Sequence, residues 1–394
     1  MRQHIRHMQG WACTMVLTTL WAFTLGHIGA TPTFAITTGG FKYVVSGSNA
    51  IVTGCAAACP AALTIPAALD GLPVVGIGEG AFSAKGLTSV VIPDSIISVG
   101  SWSFDNNSLR TVQFGSAVQH IGAAAFYTNE LVSVTIPNSV FSIGERAFAF
   151  NRSLASVTLG TAVASIGARA FWMTVLTRIT IPDSVKVIGE RAFYELALGS
   201  LSLGSGVERI EYQAFQSNRL TSLTIPASVV FIDAHAFSVN QLRSVAFLGS
   251  APPNMAYVFD NNDELYWIYR PANALGWGAT WSEKRVVIAT RATATVKPTI
   301  TGTAIVGRTI TARPGTWRGA PAPTYRYQWY ACTKAVTAAR STVPSTCTAI
   351  VGATRSTFKL TVAQRNKYVA VLVTGTSAGT TATTWLSKTT AKVR

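Results

Sequence analysis

Few residues in this sequence have the type and spacing that catalysis requires. It contains no G-x-S-x-G nucleophile turn, no H-E-x-x-H zinc motif, no phosphate-binding loop and no cysteine with a plausible histidine partner. Glu145, Glu190 and Glu211 occupy predicted turn positions, which does not suggest an acid–base pair. A carbohydrate-active enzyme remains an alternative, because folding could bring two distant carboxylates together. We predict no catalytic residue, no cofactor and no enzymatic activity.

Four cysteines follow residue 35, in two local pairs: Cys55 with Cys59, and Cys332 with Cys347. In an exported protein, an even number of cysteines favours disulfides. The first pair has the spacing C-x-x-x-C and not the C-x-x-C of thiol oxidoreductases, which argues against a redox role. His120 and His235 stand alone, far apart in the sequence, so no metal site is predicted.

The N-terminal residues have the pattern of an export signal. Arg2 and Arg6 precede an apolar stretch from Trp11 to Gly29, which is followed by Thr31–Ala35 with small residues at the minus-three and minus-one positions of a cleavage site. This pattern predicts a secretory signal peptide over residues 1–35. A retained membrane anchor is the alternative, because the stretch is close to the ~20 residues that a membrane span needs. We predict a secreted or cell-surface protein with no transmembrane span after cleavage.

A 22-residue repeat runs through the central part of the chain. Each unit has an aliphatic residue, usually followed by glycine, five positions before a phenylalanine, and then an L-x-x-[VIL]-x-[ILF] segment that predicts a half-buried strand. That segment ends in Pro at 93, 137, 182 and 226 but in Gly at 115, 160, 204 and, one place later, 249, so a 44-residue period is superimposed. A unit this short cannot bury its own apolar side, which predicts a solenoid of stacked coils with one strand per coil and a parallel sheet. The phenylalanines, 22 or 23 residues apart, are Phe82, Phe104, Phe126, Phe148, Phe171, Phe193, Phe215 and Phe237.

The form I-P-x-S-V-x-x-I-G-x-x-A-F, seen at residues 181–193, resembles the repeats of the BspA-type leucine-rich-repeat family over about residues 41–289. The resemblance implies an N-terminal cap (36–76), a solenoid (77–250) and a C-terminal cap (251–289), beginning where the period fails after Phe247. It also implies surface adhesion or protein–protein contact. The cap aromatics are expected to close the core end, although such a cluster could also stack on a sugar: Tyr257, Phe259, Tyr266, Trp267, Tyr269, Trp277 and Trp281.

Small polar residues alternate with the buried strand positions and should point to solvent. In stacked strands they would lie ~4.8 Å apart and form a flat hydrogen-bonding sheet that could bind a protein or glycan. The same residue types also suit an exposed strand with no ligand, as in a structural spacer of the cell wall. The predicted ligand face comprises Ser89, Thr111, Gln113, Ser133, Thr135, Ser156, Thr158, Arg178, Thr180, Ser200, Ser202, Ser222 and Thr224.

Asparagines recur three residues after the repeat phenylalanine, and their amides are expected to cap turn backbone instead of contacting a ligand. They are Asn107, Asn129, Asn151, Asn218 and Asn240.

The composition changes near residue 290. Residues 290–298 are rich in Ala, Thr and Arg and are predicted to be a linker. Residues 299–394 contain short alternating segments separated by turn residues, which predicts a β-sandwich and makes the whole chain mainly β. The run from Gly302 to Trp317, with Tyr327-Gln328-Trp329, resembles the immunoglobulin-like modules of exported actinobacterial proteins. That resemblance implies that Trp329 lies in the core.

The formal net charge of +16 is unevenly distributed. Residues 36–289 hold 15 basic and 16 acidic side chains, whereas residues 290–394 hold 15 Lys and Arg with no Asp or Glu. A field of one sign attracts anionic polymers, which predicts association with an anionic cell-envelope polymer. A basic surface kept for solubility is the alternative, and nucleic acid is not favoured because no recognition motif is present. The predicted contacts are Arg308, Arg313, Arg318, Arg326, Lys359, Arg365 and Lys367.

These features together predict a non-catalytic, adhesin-like binding protein. The solenoid face would bind a protein or glycan, and the basic C-terminal domain would associate with the envelope. A structural spacer of the cell wall is the alternative function.

Overall fold

The computed structural model describes residues 36–394, so the predicted signal peptide lies outside the described residues. The regular secondary structure of the described chain is almost entirely β-strand, with one 3₁₀ turn at Val362–Gln364. No helix in residues 36–394 is long and apolar enough to cross a membrane.

The first strands form a hairpin that covers one end of the stack of coils. Strand β2 pairs antiparallel with β1 and β3, and β3 pairs parallel with β6, which continues into the coils. A disulfide joins Cys55 and Cys59, and both cysteines pack against the apolar core. The strands are β1 (Ile36–Thr38), β2 (Phe41–Ser46), β3 (Asn49–Cys55), β4 (Ala62–Thr64), β5 (Ala68–Leu69) and β6 (Leu72–Ile77).

Each coil from residue 89 to residue 232 contributes two short strands and not the single strand predicted from the sequence. We call the surface formed by the first strand of each coil face A. Its strands are β4, β7 (Ser89–Val91), β9 (Thr111–Gln113), β11 (Ser133–Thr135), β13 (Ser156–Thr158), β15 (Arg178–Thr180), β17 (Ser200–Ser202), β19 (Ser222–Ile225), β21 (Ser244–Phe247), β22 (Trp267–Arg270), β23 (Thr280–Trp281) and β24 (Lys284–Ile288).

The second strand of each coil forms face B, in which parallel pairing runs without a break from the N-terminal hairpin to the last member. The sequence analysis missed these strands because each is only two residues long. They are β8 (Ser98–Val99), β10 (His120–Ile121), β12 (Ser142–Ile143), β14 (Ser165–Ile166), β16 (Val187–Ile188), β18 (Arg209–Ile210) and β20 (Phe231–Ile232).

A column of stacked phenylalanine rings runs through the core between the two faces. Neighbouring rings lie 5.2 to 5.9 Å apart between centroids, and all are fully buried. The column begins at Phe82 and includes Phe259, one coil beyond the point where the sequence analysis ended the period. A side chain repeated at one position of every coil must meet its copies above and below, so the period itself produces the column.

Residues 290–394 form a further set of strands with their own buried core. Strand β27 pairs with β26 and β31, while β29 pairs with β30 and β32, and β32 pairs with β33. Trp329 is fully buried, as predicted, and its Nε1–H donates to the Arg355 carbonyl. The strands are β25 (Thr290–Val296), β26 (Thr299–Thr301), β27 (Thr309–Arg313), β28 (Thr316–Ala320), β29 (Thr324–Cys332), β30 (Cys347–Ala349), β31 (Thr357–Lys359), β32 (Tyr368–Thr376) and β33 (Thr383–Leu386).

The structure does not show the predicted linker at residues 290–298. Most of that stretch is strand β25, which pairs antiparallel with β28 and buries Ala292 and Ala294. Small Ala and Thr residues at alternate positions allow this close packing, and the same composition is typical of linkers.

A disulfide joins Cys332 and Cys347 at the paired ends of β29 and β30. The loop between them returns over the outer surface of the sheet, where Val336 packs with Ala370 and Leu386 in a small second cluster. Arg340 and Leu386 exchange two backbone hydrogen bonds and hold the loop there. The disulfide therefore closes a loop that covers one side of the sheet.

Candidate binding face

The side chains of the predicted ligand face lie on the outer surface of face A. All of them are exposed except Ser89, which is half-buried. Within the described residues, none of these side chains makes a hydrogen bond to another protein group. Their donors and acceptors are therefore free for an external partner.

Face A is not the continuous flat sheet that the sequence predicted. Pairing is broken between β9 and β11, between β13 and β15 and between β17 and β19, so the strands form groups of three, two, two and five. The breaks recur every two coils, which is the 44-residue period seen in the sequence.

The alternation of proline and glycine at the strand ends explains these breaks. A Cβ added to Gly115, Gly160 or Gly204 would overlap the proline carbonyl of the coil before it. Each glycine-ended coil therefore approaches the preceding proline-ended coil closely and pairs with it. The following strand (β11, β15 or β19) again ends in proline and does not pair with the glycine-ended strand before it, which leaves an opening in face A.

The core is partly exposed at each opening. In the glycine-ended coils Val112, Phe114, Val157, Leu201 and Leu203 are half-buried. In the proline-ended coils the corresponding residues, such as Val134 and Ile136, are at most 4% exposed. The openings are thus shallow grooves with an apolar floor.

Two of these grooves form cavities. The first, about 560 Å³, lies between β9 and β11 and is lined by Phe114, Gln113, Thr135 and Asn138 among others. The second, about 610 Å³, lies between β13 and β15 and includes Ser156, Thr158, Arg178 and Thr180. Six predicted ligand-face residues therefore line grooves and do not stand on a flat surface.

The repeating asparagines cap backbone groups, as the sequence predicted. The Asn151 amide donates to the carbonyls of Phe126 and Phe148, both at 2.9 Å, and its oxygen accepts from the Leu131 backbone at 3.2 Å. Asn107, Asn129, Asn218 and Asn240 make the same kinds of bonds. Asn262 continues the series in the coil that contains Phe259. Its spacing of 22 residues from Asn240 was visible in the sequence but went unused.

The aromatic residues of the predicted C-terminal cap divide into two groups. Phe259, Trp277 and Trp281 pack around Phe247 and close the core, and the two tryptophans donate their Nε1–H to backbone carbonyls. Tyr257, Tyr266 and Trp267 instead remain 50%, 62% and 44% exposed. Trp267 lies on β22, so face A carries an exposed indole near its C-terminal end.

Sequence reasoning missed a line of aromatic residues along one turn edge of the coils. Trp102, Tyr127, Phe150 and Trp172 pack edge to face over four successive coils, with centroids 5.0 to 5.8 Å apart. Their positions relative to the repeat phenylalanine differ from coil to coil, so no single spacing in the sequence links them. Because each ring packs its edge against the next, the line mainly closes this side of the solenoid.

Two carboxylates, Asp94 and Asp183, accept hydrogen bonds from the next coil. The backbone N–H of Ser116 donates to Asp94 at 2.6 Å, and its hydroxyl at 3.0 Å, which holds the Asp94 pKa below its usual value. Ser205 lowers the pKa of Asp183 in the same way. A general acid at neutral pH needs a raised pKa, so both shifts have the wrong direction. Residues 36–394 contain no group of three or more His, Cys, Asp or Glu side chains that could hold a metal ion.

Seven basic residues predicted to contact anionic polymers are all exposed. Within residues 290–394, no basic side chain forms a salt bridge with another described residue. Arg313 and Lys359 extend from the outer surface of the β26–β27–β31 sheet, opposite Thr299 and Thr309. Most cations of the solenoid, by contrast, have acidic neighbours, such as Lys186 with Glu208 at 2.8 Å.

The repeats match a known family model. Six copies of the BspA type leucine rich repeat region match residues 75–196 and 164–275, which together make up half of the chain. No curated protein sequence matches the chain significantly.

Several solved structures are similar to part of this chain. A leucine rich cell surface protein from Faecalibacterium prausnitzii A2-165 is 26% identical, with 64% of this chain and 94% of that chain covered and a TM-score of 0.37. A leucine-rich repeat protein from Bacteroides ovatus ATCC 8483 is 19% identical, with 64% and 76% covered and a TM-score of 0.39. The pneumococcal vaccine antigen PcpA is 18% identical, with 64% and 93% covered and a TM-score of 0.32.

Proposed function

This chain belongs to the BspA-type leucine-rich-repeat family, and from that premise we propose that it is a non-catalytic, adhesin-like binding protein of the cell surface. Face A binds a protein or glycan ligand. The basic C-terminal part, which we propose to be an immunoglobulin-like domain, associates with an anionic polymer of the cell envelope.

One observation carries the proposal for face A. Its outer side chains are exposed and make no hydrogen bond within the described chain, whereas the repeating asparagines are all bonded internally. Free hydroxyls on a rigid parallel scaffold lose little conformational entropy when a ligand orders them. Two grooves with apolar floors add contact area to this polar surface.

The exposed Trp267 on β22 favours a binding protein over a structural spacer. Tryptophan, tyrosine and arginine dominate the residues that contribute most to binding energy. A spacer needs no such group on its strands. The lowered pKa values of Asp94 and Asp183 support the absence of catalysis at this face.

Binding of the intact chain to an array of glycans and extracellular-matrix proteins tests the proposal. Replacing four exposed hydroxyl residues of β11 and β13 together (Ser133→Ala, Thr135→Val, Ser156→Ala and Thr158→Val) should weaken binding to a protein hit or an uncharged glycan hit at least tenfold. The matched control on face B, Ser98→Ala with Ser165→Ala, should leave binding unchanged. Absence of any hit, or equal loss in both variants, would contradict binding at face A.

A further inference from the structure

The C-terminal end of face A contains a cavity of about 520 Å³ with two exposed aromatic rings and two cations. Tyr266 and Trp267 lie with their ring centroids 5.8 Å apart, and Lys284 and Arg285 come from the neighbouring strand β24. We propose that this cavity binds a sugar ring that carries a carboxylate. The proposal rests on the function proposed for face A and specifies a ligand class at one end of it.

Strand pairing on both sides fixes the backbone that carries the Trp267 indole. Strand β22 pairs with β21 on one side and with β24 on the other, and Ile268, next in the chain, is fully buried. A rigid aromatic plane loses little entropy on binding, and the apolar face of a sugar ring can pack against it. Trp267 occupies the same position in its strand as Ser244 and Ser222 in theirs. Its ring therefore lies in the same row of outward-facing side chains as the hydroxyls of face A.

Charge at the cavity favours an anionic sugar. Arg285 is directly opposite Trp267 in the strand pairing, and it is exposed. Neither Arg285 nor Lys284 forms a salt bridge with a described residue, and Glu283 is the only acidic residue in the cavity lining. A guanidinium group binds a carboxylate with two parallel hydrogen bonds, so Arg285 can fix the acid group while Trp267 carries the ring.

The experiment measures the affinity of the intact chain for trigalacturonic acid and, as a neutral probe of equal length, maltotriose. Calorimetry in moderate salt reduces unspecific attraction to the basic domain. We expect trigalacturonic acid to bind at least tenfold more tightly than maltotriose. Failure of trigalacturonic acid to bind would overturn this inference, while a ligand found on the array would still support binding at face A.

Variants locate the site. Trp267→Ala should weaken trigalacturonic acid binding at least tenfold, and Trp267→Phe, which retains an aromatic ring if the alanine variant folds poorly, should weaken it less. Trp102→Ala is the matched control, because Trp102 is 39% exposed but lies on a turn edge far from the cavity in sequence. Equal loss in the Trp102 and Trp267 variants would contradict the inference.

Two further variants separate the cavity from the basic domain. Arg285→Gln should remove most of the preference for trigalacturonic acid over maltotriose. Arg313→Gln with Lys359→Gln, which removes two charges from the basic C-terminal part, should lower that preference much less. A loss of preference in the second variant and not in the first would place the acid group on the C-terminal domain and overturn the inference.

Discussion

The side chain of Asn151 joins two neighbouring coils through backbone groups and not through other side chains. Its amide reaches carbonyls of Phe126 and Phe148, and its oxygen reaches the N–H of Leu131. A spacing of three residues after the phenylalanine indicated a capping role in the sequence. The partners 20 and 25 residues away follow only once the coils are stacked.

Asn151→Ala should destabilise the chain by about 2 kcal/mol, because buried backbone groups lose their partner and water cannot replace it. Urea unfolding followed by circular dichroism measures the change. Asn273→Ala is the control, since Asn273 is exposed and its side chain makes none of these bonds. A similar loss of stability in both variants would mean that the buried amide contributes little.

Asp94 and Asp183 make stability depend on pH. Backbone N–H and hydroxyl donors lower both pKa values in the folded chain, so the carboxylate form is favoured there. This contribution is fully present above the unfolded pKa of about 3.9 and is lost as pH falls through the lower folded pKa. Asn138 accepts the equivalent bond from Thr161 without a charge, which makes asparagine a natural replacement.

The double variant Asp94→Asn with Asp183→Asn should therefore be less stable than the native chain at pH 7, and the difference should shrink as pH falls below about 4. Thermal unfolding at a series of pH values measures it. A difference that stays constant from pH 7 to pH 2.5 would show that the carboxylate charge is not involved.

At the scale of the strands, the close approach of neighbouring coils depends on glycines at the strand ends. A pattern of apolar residues does not reveal these glycines. The 22-residue period predicted the stacked coils, since it places identical side chains above one another. It could not predict the openings of face A, because these lie between pairs of coils, and the pairs form where a glycine meets the proline carbonyl of the coil before it. The face B strands were missed for a related reason: two residues are too few for an alternating pattern.

Gly160→Ala should destabilise the chain by about 2–3 kcal/mol, because its Cβ would overlap the Pro137 carbonyl and force the paired coils apart. Gly199→Ala is a matched control, since a Cβ there meets nothing within 4 Å and the backbone angle is ordinary. Chemical unfolding of both variants tests this. Equal stability of the two variants would contradict the close approach as the cause of pairing.

The aromatic residues of the C-terminal cap show what composition can and cannot predict. Their large apolar surface correctly indicated a closed core end, which Phe247, Trp277 and Trp281 provide. Trp267 has the same residue type but lies at an outward strand position, so only the register of β22 with its neighbours separates it from the others. Residue type alone could not distinguish a ring in the core from an exposed ring on face A.

For the molecule as a whole, residues 36–289 are nearly neutral and residues 290–394 are strongly basic. The interactions predicted for the two regions should therefore differ in their dependence on salt concentration. Interactions of exposed charges are screened over about 8 Å at physiological ionic strength. Contacts of neutral hydroxyls at face A should depend little on salt. Binding through the C-terminal domain should fall steeply as salt rises.

Arg313→Gln with Lys359→Gln should therefore lower the NaCl concentration at which the intact chain elutes from immobilised heparin, used as a probe of anionic polymers. The matched control, Arg152→Gln with Arg219→Gln, removes the same charge from exposed positions of the solenoid. It should shift the elution less, because acidic residues of the solenoid already offset its cations while residues 290–394 have none. Equal shifts would mean that net charge alone controls binding and that the C-terminal domain has no special role.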